Sequence, residues 1–314
     1  MPSAEPRPAS AGLAYHQLQR LGARDAWRPL VGALILFIGV WYVLAILVVA
    51  VITPHNVDGE PVTPSYLSAI NVWWALAIPS ACLVAWLINK LPPRWLFSVL
   101  GRFRWGWFAG CLGLALVTLV VTAWVSSVLP SQGSSSVDLS GHLNPWTSQM
   151  RDFLLVVLLL TPLQAAGEEF VFRGYLTQSV GNLFHGWSPR ARSVVAVVVP
   201  AFLFGLAHGI GQDVPVFFDR FAFGLVAGVL VQLTGGLEAG IAMHVMNNLL
   251  TFGIALAYGD MTSTLHVTES SWWAIPVTLT QSLVYLALCW WLSRRMRVDR
   301  RSAEGVLEAR EPAR

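Results

Sequence analysis

Long apolar runs, separated by short polar segments, are the dominant pattern of this chain. The first run extends from Pro29 to Thr53. The others lie at about 69–89, 105–129, 152–172, 193–210, 216–233, 237–258 and 272–293. Each run is close to the roughly 20 residues that an α-helix needs to cross a bilayer, and inside a bilayer every backbone donor and acceptor must be paired within its own segment. The pattern therefore predicts an all-α polytopic membrane protein, a bundle of about eight transmembrane helices.

The composition fits a chain whose main solvent is lipid. Only 12% of the 314 residues are charged and 55% are hydrophobic, whereas an ordinary soluble domain carries about 25% charged residues. Lys90 is the only lysine, and the arginines gather in a few loops rather than along one stripe, so nucleic acid is not an expected partner. The three cysteines lie inside apolar runs without paired spacing, which argues against a disulfide framework and against a thiolate site.

The positions of the basic residues predict the topology. Lysine or arginine residues follow the second, fourth and last apolar runs, whereas the segments at 54–68, 130–150 and 259–271 contain neither. Basic loops face the cytoplasm by the positive-inside rule. We therefore expect a multi-pass protein of the cell membrane with both termini in the cytoplasm.

Three regions follow from this topology. Residues 1–28 form a polar cytoplasmic N-terminal segment, residues 29–293 form the transmembrane bundle, and residues 294–314 form a cytoplasmic tail. The charged tail is expected to be solvated. His16, in the N-terminal segment, is likewise expected at a solvated surface.

Two adjacent glutamates lie at the inner end of the fourth run, and an arginine directly follows that run. An ionisable side chain inside a span costs about 2.5 to 3.5 kcal/mol, so its presence indicates a functional site. Glu169 and Arg173 are four residues apart and share a helix face, where they can form an ion pair. Glu168 points about 100° away from that face, which makes its carboxylate the candidate general base. The alternative is that both glutamates only cap or pair at a helix end.

Two further clusters carry histidine. Phe204 and His208 lie at the end of the fifth run. An imidazole there could accept a proton, orient water or bind a metal, or it could have only a structural role. His244 and Asn248, in the seventh run, are one helical turn apart and share a face. Such a pair could stabilise the oxyanion of a tetrahedral intermediate, or it could form an interhelical hydrogen bond.

Taken together, these positions are similar to the CAAX-protease and bacteriocin-processing (CPBP) family, also called ABI or CAAX prenyl protease 2-like. Its pattern is EExxxR, then FxxxH, then HxxxN or HxxxD. All three motifs are complete and in order within about residues 150–255, at Glu168, Glu169 and Arg173, at Phe204 and His208, and at His244 and Asn248. The resemblance implies an intramembrane glutamic endopeptidase. In it Glu168 and His208 activate a water that attacks a peptide carbonyl, while His244 and Asn248 stabilise the oxyanion and Glu169 and Arg173 form a supporting ion pair.

The resemblance leaves two ways to activate the water. We favour a mechanism that requires no cofactor and no metal, with Glu168 as the base. Members of the family have also been described as metalloproteases, and Glu168, His208 and His244 could instead ligate Zn²⁺. The His-Glu-x-x-His helix of many zinc peptidases is absent from the sequence.

One feature of the predicted spans conflicts with a shared site. Straight helices with these boundaries would place Glu168 near the cytoplasmic side and His208 nearer the outer side. A common depth therefore requires different boundaries. Pro162 and Pro200 offer kinks, and a helical stretch around 173–200 that protrudes into the cytoplasm would also bring the residues together.

The expected partners are membrane lipid and a peptide or protein substrate. The sequence does not choose among a prenylated CAAX-type tail, a bacteriocin leader and a signalling peptide. A non-catalytic membrane regulator or immunity protein of the same fold is the alternative. A proton-coupled transporter would also place carboxylates in spans, but neither a repeat symmetry nor paired broken half-helices are evident in the sequence.

Overall fold

The computed structural model describes residues 12–23, 25–55, 61–130, 142–208 and 211–307. Within these residues the chain forms helices, turns and two isolated β-bridges, and no strand. Eight of the described helices are long and apolar enough to cross a membrane, which confirms the predicted all-α bundle and the count of spans. We number them α1 Trp27–Ile52, α2 Pro64–Leu87, α3 Trp105–Val128, α4 Ser148–Leu183, α5 Pro189–Ala207, α6 Val214–Thr234, α7 Glu238–Tyr258 and α8 Ala274–Arg295.

Polar caps begin several of the spans. The side chains of Thr63, Thr147, Ser188 and Asp213 each accept a hydrogen bond from a backbone N–H in the first turn of the helix that follows. Such caps satisfy donors that have no partner inside the helix. At the other end of α6, Gly235 adopts a φ of 67°, a left-handed conformation that favours glycine. Because α7 begins only three residues later, α6 and α7 form a tight hairpin.

Helix α4 is much longer than the predicted fourth span. It has 36 residues and is about 54 Å long at 1.5 Å per residue, whereas a hydrocarbon core is about 30 Å thick. The predicted end near residue 172 is therefore wrong, since the helix continues to Leu183. It is interrupted at Leu160, two residues before Pro162. It also contains a π-helical segment at Phe170–Leu176, immediately after the two glutamates.

The length of α4 removes the conflict over depth. Helices α4 and α5 are antiparallel neighbours, and the guanidinium of Arg173 lies 4.0 Å from the ring centre of Phe204. His208 lies one turn beyond Phe204 on α5, and Glu169 lies one turn before Arg173 on α4. Because the two helices run in opposite directions, His208 and Glu169 lie at the same level. Glu168 is thus in the middle of a long helix rather than at the inner end of a short one.

The first described residues pack onto the bundle, which corrects the expectation that His16 is solvated, whereas most described positions of the tail at 294–307 are exposed. A 3₁₀ helix at Tyr15–Leu21 is largely buried against the second half of α4. His16 is only 5% exposed, and its Nδ1 lies 2.6 Å from Gln232 Oε1. Leu13 and Ser302 exchange two hydrogen bonds of 2.8 and 2.9 Å. Residues 1–11 and 308–314 of these two regions lie outside the described residues.

The glycine before the two glutamates allows α2 to approach α4. A Cβ atom on Gly167 would lie 1.9 Å from the carbonyl oxygen of Trp74. Only a residue without a side chain permits this contact between backbones. The contact fixes α2 against α4 one residue before Glu168.

Candidate active site

A buried ion pair connects the two ends of the first motif. Arg173 Nη1 lies 3.0 Å from Glu169 Oε1, and the two side chains are 1% and 0% exposed. The same oxygen lies 3.0 Å from His244 Nδ1 on α7. Because an ionised carboxylate can only accept, Nδ1 carries the hydrogen and donates it. Glu169 thereby fixes the orientation of the His244 ring and directs Nε2 toward the other glutamate.

Aromatic rings surround the guanidinium of Arg173. The ring of Phe204 lies 4.0 Å from it, and the rings of Phe172 and Phe223 each lie 5.9 Å from it. The face of an aromatic ring attracts a cation, most strongly where water is excluded. Phe204, the first residue of the FxxxH motif, therefore covers the cation of the EExxxR motif.

Glu168 lies on the side of α4 that faces His244 of α7, and it is 4% exposed. Its Oε1 accepts a short hydrogen bond from Gln164 Nε2, one turn earlier on α4. Its Oε2 has no hydrogen-bond partner among the described residues and lies 3.8 Å from His244 Nε2. That separation is too long for a direct hydrogen bond and short enough for one water to contact both atoms. The sequence predicted an unpaired carboxylate, whereas the structure leaves only one of its two oxygens open.

Asn248 completes the contact between α4 and α7. Its Nδ2 donates to Gln164 Oε1 at 3.0 Å. The two helices are antiparallel, so Gln164 lies opposite Asn248 while Glu168 lies opposite His244. His244 and Asn248 of α7 thus both face α4 across one interface.

His208 lies at the rim of this cluster. It directly follows α5 and is exposed. Its Nδ1 donates to the carbonyl of Phe204 at 2.8 Å. Its ring and the Phe204 ring form an edge-to-face contact with 4.5 Å between the ring centres. The ring of Phe204 also lies 5.9 Å from the ring of His244. The structure therefore brings five of the six predicted site residues into one hydrogen-bonded and ion-paired cluster, and it joins His208 to them through Phe204. With Nδ1 engaged, Nε2 is the nitrogen of His208 that can accept a proton.

Three residues of the site were not identified from the sequence. Gln164 contacts both Glu168 and Asn248, and Phe223 lies 5.1 Å from the His244 ring. A Cβ atom on Gly240 would lie 2.9 Å from Glu169 Oε2, so this glycine makes room for the carboxylate. Gln164 and Gly240 each precede a predicted residue by one helical turn, and that spacing is the signal that could have identified them.

The alternative zinc ligands do not form a metal-binding group as they are placed. Among the described residues, no set of three or more His, Cys, Asp or Glu side chains lies close enough to hold a metal ion. His244 Nδ1 contacts Glu169 and His208 Nδ1 donates to the carbonyl of Phe204, so each imidazole has one ring nitrogen already engaged. The arrangement instead places one carboxylate oxygen, one imidazole nitrogen and one carboxamide along the interface between α4 and α7.

Comparison with known proteins identifies the region that contains this site. A family model described as type II CAAX prenyl endopeptidase Rce1-like matches residues 150–250, which include all three motifs. An uncharacterized protein of Bacillus subtilis (strain 168), YyaK, is 22% identical over 271 residues, which cover 81% of this chain and 86% of that relative. The resemblance inferred from the motifs is thereby confirmed. Residues 150–250 of this chain are therefore similar to the Rce1-like family of type II CAAX prenyl endopeptidases.

Proposed function

We propose that this protein is an intramembrane endopeptidase in which Glu168 activates water for attack on a peptide bond. The observation that supports this most directly is the open oxygen of Glu168. It is buried between α4 and α7 and lies 3.8 Å from His244 Nε2. A buried carboxylate oxygen next to an imidazole is suited to accept a proton from water.

The reaction assigns one role to each side chain. Glu168 Oε2 accepts a proton from the water, whose oxygen bonds to the peptide carbon. The carbon–nitrogen bond then breaks, and Glu168 returns the proton to the leaving amine, so that the products are a carboxylate and an amine. His208, through Nε2, orients the water from the rim.

The oxyanion is stabilised from α7. Asn248 uses one of its two amide hydrogens on Gln164, so the other is free to donate. The second donor is Nε2 of His244, whose ring Glu169 holds through Nδ1. Each donor of this kind contributes about 2.7 to 4 kcal/mol in peptidases. Glu169 and Arg173 act indirectly, by fixing the ring of His244.

The substrate class follows from the family and from the surroundings. The matching family is described as type II CAAX prenyl endopeptidase Rce1-like, and α4 and α7, which carry most of the site, are long and apolar enough to cross a membrane. We propose a membrane-associated peptide or protein tail as substrate, with a prenylated tail as the first to test and bacteriocin leaders and signalling peptides after it. The arginine-rich loops support an orientation in the cell membrane with both termini in the cytoplasm.

The test is cleavage by the full chain reconstituted in liposomes with a library of prenylated peptides. We expect cleavage by the wild type, a loss of at least 100-fold with Glu168→Gln, and a smaller loss with His208→Ala. Cleavage unaffected by either substitution would reject the site. The same assay with a chelator tests the metal-independent mechanism, because inhibition that zinc reverses would assign the activation of water to a metal.

A further inference from the structure

Four carboxamide side chains form a continuous line of hydrogen bonds that ends at Glu168. Gln281 Nε2 donates to Asn247 Oδ1 at 3.0 Å, and Asn247 Nδ2 donates to Asn248 Oδ1 at 3.5 Å. Asn248 Nδ2 donates to Gln164 Oε1 at 3.0 Å, and Gln164 Nε2 donates to Glu168 Oε1. We call these four carboxamides the amide chain. It runs from α8 through α7 to α4.

The amide chain has a single direction. Every member donates from its nitrogen toward Glu168, and each member after Gln281 accepts at its oxygen from the one before it. Because an ionised carboxylate only accepts, Glu168 fixes the orientation of Gln164, which in turn fixes Asn248 and the two residues behind it. Reversal of any one amide would bring two oxygens or two NH₂ groups together. Aligned amides polarise one another, so the chain strengthens the final bond.

We propose that Gln164, Asn247 and Gln281 are positioning residues that hold the Glu168 carboxylate and the Asn248 carboxamide in the geometry that attack on a peptide bond requires. This inference rests on the proposed endopeptidase function. None of these three residues belongs to the EExxxR, FxxxH or HxxxN motifs.

The last hydrogen bonds of the amide chain determine which atoms of Glu168 and Asn248 remain free. Gln164 occupies Oε1 of Glu168 and leaves Oε2 for water. It also takes one amide hydrogen of Asn248 and leaves the other for the oxyanion. A misplacement of about 1 Å at a reacting group can cost about 100-fold in rate, so fixing both groups with one amide contributes to catalysis without touching substrate.

Gln281 provides the sharpest test because it acts only through Asn247. We compare Gln281→Met and Gln164→Met, which keep the length of the side chain and remove its hydrogen bonds. The matched control is Gln178→Met. Gln178 is a fully buried glutamine of α4 that donates to the carbonyl of Trp95 and is not part of the amide chain. The assay measures kcat and KM in liposomes on a peptide that the wild type cleaves.

The expected losses follow from the type of bond that is removed. Gln164→Met loses a hydrogen bond to a charged group and should lower kcat about 10- to 100-fold. Gln281→Met loses a bond between neutral groups and should lower kcat about 2- to 10-fold. In both variants KM should stay within about twofold, while Gln178→Met should leave kcat unchanged. Equal values of kcat for Gln281→Met and the wild type would overturn the inference.

A double substitution separates a connected chain from independent structural effects. Once Gln164 is replaced, the chain is already broken, so adding Gln281→Met should change kcat by less than about twofold. Adding Gln178→Met should leave the kcat of the Gln281→Met variant unchanged. If the losses in kcat of Gln281→Met and Gln164→Met multiply in the double variant, the two residues act independently and the amide chain is rejected.

An infrared measurement keeps this inference separable from the proposed function. The difference spectrum between the wild type and Glu168→Gln isolates the carboxylate band of Glu168. We expect Gln281→Met to shift this band and Gln178→Met to leave it in place. A protein that cleaves no peptide but shows the shift would overturn the endopeptidase and retain the coupling, whereas an unshifted band would overturn the coupling whether or not peptide is cleaved.

Discussion

The ring of Phe204 covers the guanidinium of Arg173 at 4.0 Å and contacts the imidazole of His208 with its edge. One aromatic side chain thus joins the buried ion pair of α4 to the histidine at the rim. This relationship gives the phenylalanine of the FxxxH motif two roles, which single substitutions can separate from ordinary packing.

Phe204→Leu should lower activity more than it lowers stability. Leucine fills much of the volume, but it has no ring to cover Arg173 and no edge for His208. We expect a loss of about 0.5 to 2 kcal/mol in stability from the cation–π contact and a fall of about tenfold in kcat/KM, measured by thermal unfolding in detergent and by peptide cleavage. Phe202→Leu, on the exposed side of α5, is the control, and an equal fall in activity there would refute the assignment.

Arg173→Met should be among the most destabilising substitutions in the bundle. It leaves Glu169 buried without its cation, which costs about 3 to 5 kcal/mol. Adding Glu169→Gln should recover part of this loss, because the unpaired charge is removed. The exposed pair of Arg151 and Asp152, at 58% and 47% exposure, supplies the contrast, since breaking such a pair costs at most about 1 kcal/mol. Unfolding curves of Arg173→Met, of the double variant Arg173→Met/Glu169→Gln and of Arg151→Met check this order.

Gly167→Ala should separate α2 from α4. The added Cβ would meet the carbonyl oxygen of Trp74 at 1.9 Å, and backbone cannot move aside cheaply. We expect a loss of about 1 to 3 kcal/mol in stability, as for other overpacked sites, together with reduced cleavage because Glu168 is the next residue. Gly113→Ala in α3 meets no atom within 4 Å and should be neutral or stabilising by about 0.5 to 1 kcal/mol. Similar behaviour of the two variants would contradict the close approach.

Acid should release the N-terminal segment. Burial lowers the pKa of His16 below its usual value; the hydrogen bond with Gln232 opposes this shift, and the charges of Arg192 and Arg301 add to it. The undocked segment therefore binds a proton near pH 6.5, whereas the docked segment binds one only at lower pH. Stability from this contact is thus present at pH 8 and falls as the pH drops through about 6.5.

Hydrogen exchange of Tyr15–Leu21 between pH 8 and 5, corrected for the intrinsic rate, measures this release. Protection should fall with pH in the wild type. His16→Gln should abolish the pH dependence, while His142→Gln, at an exposed position, should leave it intact. A wild type whose protection does not change with pH would exclude His16 as the cause.

The parts of the fold that the sequence predicts are those set by local spacing. Apolar runs of about 20 residues define the spans, and a separation of four places Glu169 beside Arg173. The contact between Gln164 and Asn248 joins residues 84 positions apart. Spacing along the chain does not indicate which helices are neighbours, so this contact could not be predicted.

The end of α4 shows why hydropathy misses a boundary. The apolar run stops at residue 172 because Arg173, Gln178, Ser179 and Asn182 follow. Several of these polar side chains are nevertheless buried, and they bond to protein rather than to water. Gln178 donates to the carbonyl of Trp95, and Ser179 accepts from Gln19. Internal partners make a polar helix surface stable inside the protein, and hydropathy contains no information on such partners.

The pair of hydrogen bonds between Leu13 and Ser302 constrains the order in which contacts form during biosynthesis. These residues are 289 positions apart, so their hydrogen bonds cannot form while the ribosome is still translating α8. Contacts between such distant residues form late, and domains assemble as the chain emerges from its N-terminal end. The 3₁₀ helix that covers the second half of α4 therefore gains this contact only after α8 has been synthesised.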